Sequence, residues 1–199
     1  MNSAWQRLTR TVAPAVPAVT LAGAKAHLRV EFSEDDALIT GLVEAAAAMI
    51  EGPGGIGVAL VTQTWRLSLD GALPLPLELP LGPVQAVTDI TYADQDGQTQ
   101  TLDPALYGLD TGARPARVYL EDGATLPAML RQLGGVKVTF TAGYGATAAS
   151  VPADLRAVML LIVGHLYHRR EAVDRSGLAE LPMGVAVILA RYRVGWYGA

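Results

Sequence analysis

Cysteine is absent from the 199 residues, which excludes disulfides, thiolate metal sites and a thiol nucleophile together. That suits a chain folded in a reducing cytoplasm. Charge is scarce as well. Charged residues make up 17% against 51% hydrophobic, a low share for a monomer that must solvate its whole surface, so part of the surface is expected to be covered by another subunit. A basic excess is also missing: the net charge of −4 argues against a sequence-independent nucleic-acid binder, whose affinity comes from neutralising phosphates. Any contact with DNA should be loose. Long apolar runs are lacking, since Val158 to Gly164 falls far short of the roughly 20 residues that span a bilayer. Pro14 and Pro17 break the stretch where a secretory signal would carry its hydrophobic core. Neither a membrane helix nor secretion is expected.

What is present divides into helical and alternating patterns. Residues 1–19 hold Arg7, Arg10, Pro14 and Pro17 without a clear period and read as an arm that orders only against something else. Thr20 caps a predicted helix over 21–28. Ser33 with Asp36 has capping-box spacing, with Asp where Glu or Gln is usual, and opens a second helix. Leu38, Ile39, Leu42, Val43, Ala46, Met49 and Ile50 recur at helical spacing along it. Gly52-Pro53-Gly54-Gly55 ends it, and the glycines up to Gly57 read as a flexible joint.

From about Leu60 the period becomes two, with Val61, Gln63, Trp65, Leu67 and Leu69 on one side, which predicts a strand. Further strands are predicted at 73–79, 84–92, 99–102, 116–120 and 135–142, separated by turn signals such as Asp96-Gly97 and Asp122-Gly123. Pro152 then opens a helix whose apolar face is Leu155, Val158, Met159, Ile162, Val163 and Leu166. A last helix is predicted from Val185 to about Val194. The expected fold is α+β: a helical bundle built from both chain ends (20–56 and 150–199), an inserted antiparallel β sandwich or barrel (57–149), and the arm (1–19).

Residues 1–30 carry four basic and no acidic groups. Residues 60–142 carry five basic groups (Arg66, Arg114, Arg117, Arg131, Lys137) and nine acidic ones. The two blocks are expected to face different surroundings.

Candidate chemistry is thin. His165, His168, Glu171 and Asp174 stand three residues apart, and nitrogen and oxygen ligands at that step could hold zinc in a metal-dependent hydrolase. A three-residue step drifts about 60° around the helix each time, however, so the four cannot converge on one ion unaided, and Arg169 and Arg170 put positive charge beside them. The plainer reading is an exposed helix end with one partly packed histidine. None of Ser33, Ser68, Ser150 or Ser176 lies in a Gly-x-Ser-x-Gly elbow. The glycines 52–57 precede a strand and lack a Gly-Lys-Ser/Thr ending, so they form no phosphate cradle. No catalytic residue, metal or cofactor is expected, and a ligand-binding β module is the remaining alternative. The C-terminal Arg191, Tyr192, Arg193, Trp196 and Tyr197 combine the types enriched in interface hot spots; local packing and stacking on bases are the competing roles.

Several phrases, in order, resemble one family: Thr20-Leu21-Ala22-Gly23-Ala24-Lys25-Ala26-His27-Leu28-Arg29-Val30, Asp35-Asp36-Ala37-Leu38-Ile39, Thr62-Gln63-Thr64-Trp65 and Leu79-Pro80-Leu81-Gly82-Pro83-Val84. Ile90-Thr91-Tyr92, Phe140-Thr141-Ala142-Gly143-Tyr144-Gly145, Val151-Pro152-Ala153-Asp154-Leu155 and His165-Leu166-Tyr167-His168-Arg169-Arg170-Glu171 continue the pattern. Together they resemble the head-to-tail connector (adaptor) proteins of tailed phages and gene transfer agents, in the long version with a β insertion. The resemblance implies a non-enzymatic subunit of a ring, commonly of twelve, made in the host cytoplasm and placed in the neck of the particle. Its implied partners are further copies of itself, the portal protein above it and a tail-side stopper or terminator protein, with DNA passing through the channel unread. It also implies that the tail from Arg191 to Tyr197 reaches the portal. The ring contact is expected to draw on Leu38, Leu42, Glu44, His165, Arg169 and Glu171.

Overall fold

The computed structural model describes residues 7–129, 133–169 and 183–194. Helix α1 (Leu21–Leu28) starts where predicted, because Thr20 Oγ1 accepts the Gly23 N–H at 3.1 Å and so satisfies one of the free first-turn donors. It stops at Arg29, which turns into the left-handed region at φ 58°. Lys25 then ties it to the next helix, its Nζ meeting Phe32 O at 2.7 Å and Asp36 Oδ1 at 2.5 Å.

Helix α2 (Asp36–Ile50) begins without the expected capping box. Ser33 contributes only its backbone carbonyl, to the Asp36 N–H at 3.1 Å, and the Asp36 carboxylate is held by Lys25 instead of closing back on the helix start. Ile39, Val43, Ala46 and Ile50 form its buried face. The glycine stretch that follows is a hydrogen-bonded turn rather than a flexible joint: Gly52 N–H donates to Val58 O (2.9 Å), Ile56 N–H to Ile50 O (2.9 Å) and Gly57 N–H to Gly52 O (3.2 Å). Only glycine fits at position 55, where a Cβ would lie 2.1 Å from Ile50 O. Helix α3 (Ala153–His168) follows Pro152 and buries Leu155, Val158, Met159, Ile162 and Val163 as expected. Helix α4 (Met183–Tyr192) starts and ends two residues before the prediction.

The strands are β1 (Leu8–Val12), β2 (Gln63–Leu69), β3 (Leu77–Glu78), β4 (Val84–Ala93), β5 (Thr99–Thr101), β6 (Tyr107–Asp110), β7 (Arg117–Leu120) and β8 (Val136–Ala142). They make a five-stranded sheet in the order β1-β2-β8-β4-β5 and a three-stranded sheet in the order β3-β7-β6, with all strand pairs antiparallel. In the larger sheet Trp65 stands opposite Phe140 and Leu67 opposite Val138, side chains of the period-two face that the sequence pattern marks. Two strands were not foreseen, β1 and β6. One shrank: the expected 73–79 strand is only Leu77–Glu78, since Pro74 and Pro76 supply no ladder donor.

The buried apolar residues fall into two clusters. One joins α1 to α4 and includes Ala18, Val19, Ile56, Val58, Leu60 and Val61. The other fills the β part, from Leu8 and Ala59 to Phe140 and Ala142. The segment 58–61 therefore sends side chains into both. The fold is α+β, as expected, and no helix among the described residues is long and apolar enough to cross a membrane.

Candidate interaction surfaces

The C-terminal tail reaches back onto its own chain. Tyr192 donates its hydroxyl to Asp154, 2.7 and 2.8 Å from the two carboxylate oxygens. Its ring meets Tyr144 edge-on, with centroids 6.3 Å apart. Val194 N–H donates to Ile56 O at 3.0 Å, and the tail covers a small cleft of about 110 Å³ lined by Gly82, Pro83, Arg114 and Tyr144. Burial, and then the neighbouring Tyr192, pushes the Tyr144 hydroxyl up to about 12. Donation to Asp154 raises Tyr192 as well, so both rings stay neutral and keep their donors. Of the residues expected to carry partner contact, Tyr192 is thus engaged at home. Arg191, 3.7 Å from Asp154, and Arg193 are left exposed, while Trp196 and Tyr197 lie outside the described residues.

Helix α2 has a second apolar face. Leu38, Leu42, Ala45 and Met49 follow the same 4, 3, 4 spacing as the buried residues but are set one position back, about 100° around the helix. Leu38 is 40% and Met49 46% exposed, and Leu42 is half-buried. Glu44 does not share this stripe. It faces the other way, into an open groove of about 500 Å³ between α2 and the segment 13–19, whose walls are mainly Pro14, Val16, Pro17 and Ala47.

His165 and Arg169 lie at the end of α3, beside His168 and against His27 of α1, around a shallower hollow of about 340 Å³. The expected ring residues therefore occupy three separate places: the stripe, the groove and the α3 end. Glu171 and Asp174 lie outside the described residues. Among the described residues no group of three metal-ligating side chains could hold an ion, and nothing else favours the hydrolase alternative.

One polar centre escaped the sequence reading. Glu51, the residue that ends α2, accepts the Leu60 N–H at 2.8 Å and Gln63 Nε2 at 2.7 Å, and Arg10 of β1 lies 3.5 Å from its other oxygen. Burial raises its carboxyl above the ordinary value, and this outweighs the lowering by those hydrogen bonds and by Arg10. Arg10 also sits over the Trp65 ring, 6.0 Å from its centroid, so the arm, α2 and β2 meet at one carboxylate. A signal was available: an acid at a helix C-terminus opposes the helix dipole and needs a reason to be there.

The fold and these surfaces describe an α+β subunit that leaves an apolar stripe and an apolar groove open on either side of α2. Residues 18–102 match the model of the phage gp6-like head-tail connector family. The matched description is of a connector, not of an enzyme. Among the solved chains that resemble this chain are three with 94% of both chains covered. One, 29% identical with a TM-score of 0.76, is in the virion of a native gene transfer agent particle. The second, 28% identical with a TM-score of 0.74, is in the neck of an empty particle computed with C6 symmetry. The third, 28% identical with a TM-score of 0.67, is in the neck of a native particle computed with C12 symmetry. No curated protein matches.

Proposed function

We propose that this chain is a head-to-tail connector subunit forming a ring of twelve in the neck of a phage-like particle, beneath the portal, extending the DNA channel toward the tail. The observation that carries this reading is the similarity over nearly the whole chain to neck chains of gene transfer agent particles, one of them computed with C12 symmetry. The scarcity of charge and the second apolar face of α2 support it, because a ring subunit is covered by a neighbour on each flank. An acidic overall balance suits a channel wall that lets DNA slide, since strong phosphate pairing would hold it.

In this account the helical part, 20–56 with 150–199, builds the ring and the inserted part, 57–149, projects from it. Portal contact falls to Arg191, Arg193 and the segment with Trp196 and Tyr197, for which Tyr192 serves as the anchor. A stopper or terminator protein would meet the tail-side face. Mixing the purified chain with portal assemblies and viewing them by negative stain tests the reading: an added ring on the portal is expected. Chain that leaves the portal bare at every concentration contradicts it.

A further inference from the structure

We propose that the ring closes through a heterologous contact in which Glu44 in the groove of one copy meets Arg169, with the surrounding histidines, at the α3 end of the next. This rests on the ring reading above. A head-to-tail ring needs two different patches on each subunit, both open at once and complementary to each other. The groove beside α2 and the hollow at the α3 end share no lining residue, so a single copy can offer both.

Their chemistry is complementary. The groove has apolar walls, with Val16 39% exposed. Its deeper acid, Glu51, is matched by Arg10, which leaves Glu44 exposed on its wall with no ion partner among the described residues. The hollow reverses this pattern. Leu161, 41% exposed, stands among His27, His165, His168 and Arg169, which include all three histidines of the chain, and no acid among the described residues lines it. His27 packs beside Gly164 of α3, where a Cβ would lie in ordinary contact with it, 3.5 Å from its Nε2. An apolar knob in a basic rim thus faces an apolar groove with an acid on its wall. Charges placed at such a rim steer association and fix register. The Leu38–Met49 stripe carries no charge that would select a partner in this way, which is why the groove is assigned to the neighbour.

The absence of native cysteine makes a direct test possible. The doubly substituted chain, Glu44→Cys with Arg169→Cys, is assembled into particles or onto portal and treated with a short bismaleimide, because an Arg–Glu pair holds its Cα atoms farther apart than the roughly 7 Å that a disulfide tolerates. The expected result is a ladder of covalent multimers up to the full ring, while either single variant remains monomeric. Rings that contain the double variant at wild-type occupancy yet yield only monomer overturn this pairing and leave the connector reading intact. Absence of the wild-type chain from necks overturns the connector reading itself. Should the double variant fail to assemble, charge reversal decides: Glu44→Arg and Arg169→Glu should each reduce assembly at least tenfold and restore it when combined, and no restoration overturns the pairing.

Discussion

Glu51 shows how a single residue can join parts of a chain that sequence spacing keeps apart. Its carboxylate satisfies the Leu60 N–H and the Gln63 amide, so truncation and neutralisation should behave differently. Glu51→Ala leaves two donors without an acceptor and should cost about 1–3 kcal/mol. Glu51→Gln keeps an acceptor oxygen and loses only the charge and its longer-range pairing with the half-exposed Arg10, so its stability at neutral pH should stay within about 1 kcal/mol of wild type. The pH dependence follows from the raised carboxyl. A carboxyl that holds its proton more tightly when folded stabilises the fold fully below its unfolded value, and that contribution fades as pH rises through the folded value. Denaturant titrations from acid to neutral pH should therefore show wild type losing stability relative to Glu51→Gln as pH rises; a constant difference would disprove the assignment. Asp70, whose carboxyl is lowered chiefly by the hydrogen bond from Arg7 and then by that from Gly134 N–H, loses its contribution in the opposite direction, as pH falls. Comparing the two Glu51 forms cancels it.

At the scale of elements, the tail is the part whose meaning the structure changes most. Deleting 191–199 would remove the Tyr192 hydroxyl from Asp154 and the Val194 bond to Ile56, so it would disturb the fold together with any docking role. A loss of about 2 kcal/mol, or roughly 4–8 °C in melting temperature for a chain of this size, is expected from calorimetry. Deleting only 195–199 leaves those anchors in place. That variant should melt within about 1 °C of wild type and bind portal poorly, and unchanged portal binding would refute the role assigned to Trp196 and Tyr197.

Legibility in the sequence varied with how local the determining physics was. Helix α1 could be read to the residue because Thr20 caps it within its own turn. Strand β2 was readable because its alternate residues Gln63, Trp65 and Leu67 are buried. Strand β1 was not, since as an edge strand it buries only Leu8 and shows no alternation. Strand β6 includes Gly108, where a Cβ would come within 2.3 Å of the Tyr119 ring, a cross-strand constraint that spacing cannot reveal. The candidate surfaces were legible as residue types but not as places. Leu38 and Glu44 were grouped together, although the helix turns them to different sides, and the second apolar face of α2 emerges only when Ile39, Val43, Ala46 and Ile50 are seen to fill the core.

In the whole molecule, a helical core that includes residues from both ends of the chain is joined to the antiparallel β part through 58–61 and Glu51. Such a subunit has several open faces, which suits the geometric work proposed for it: to join rings and keep a passage clear. The most direct measurement is an averaged reconstruction of necks from particles that carry this chain. The account predicts a closed ring of twelve copies directly below the portal, each with two different contacts to its neighbours and with α4 and the following tail nearest the portal. A neck in which this density is missing, or in which the chain lies outside the head-to-tail junction, would contradict it.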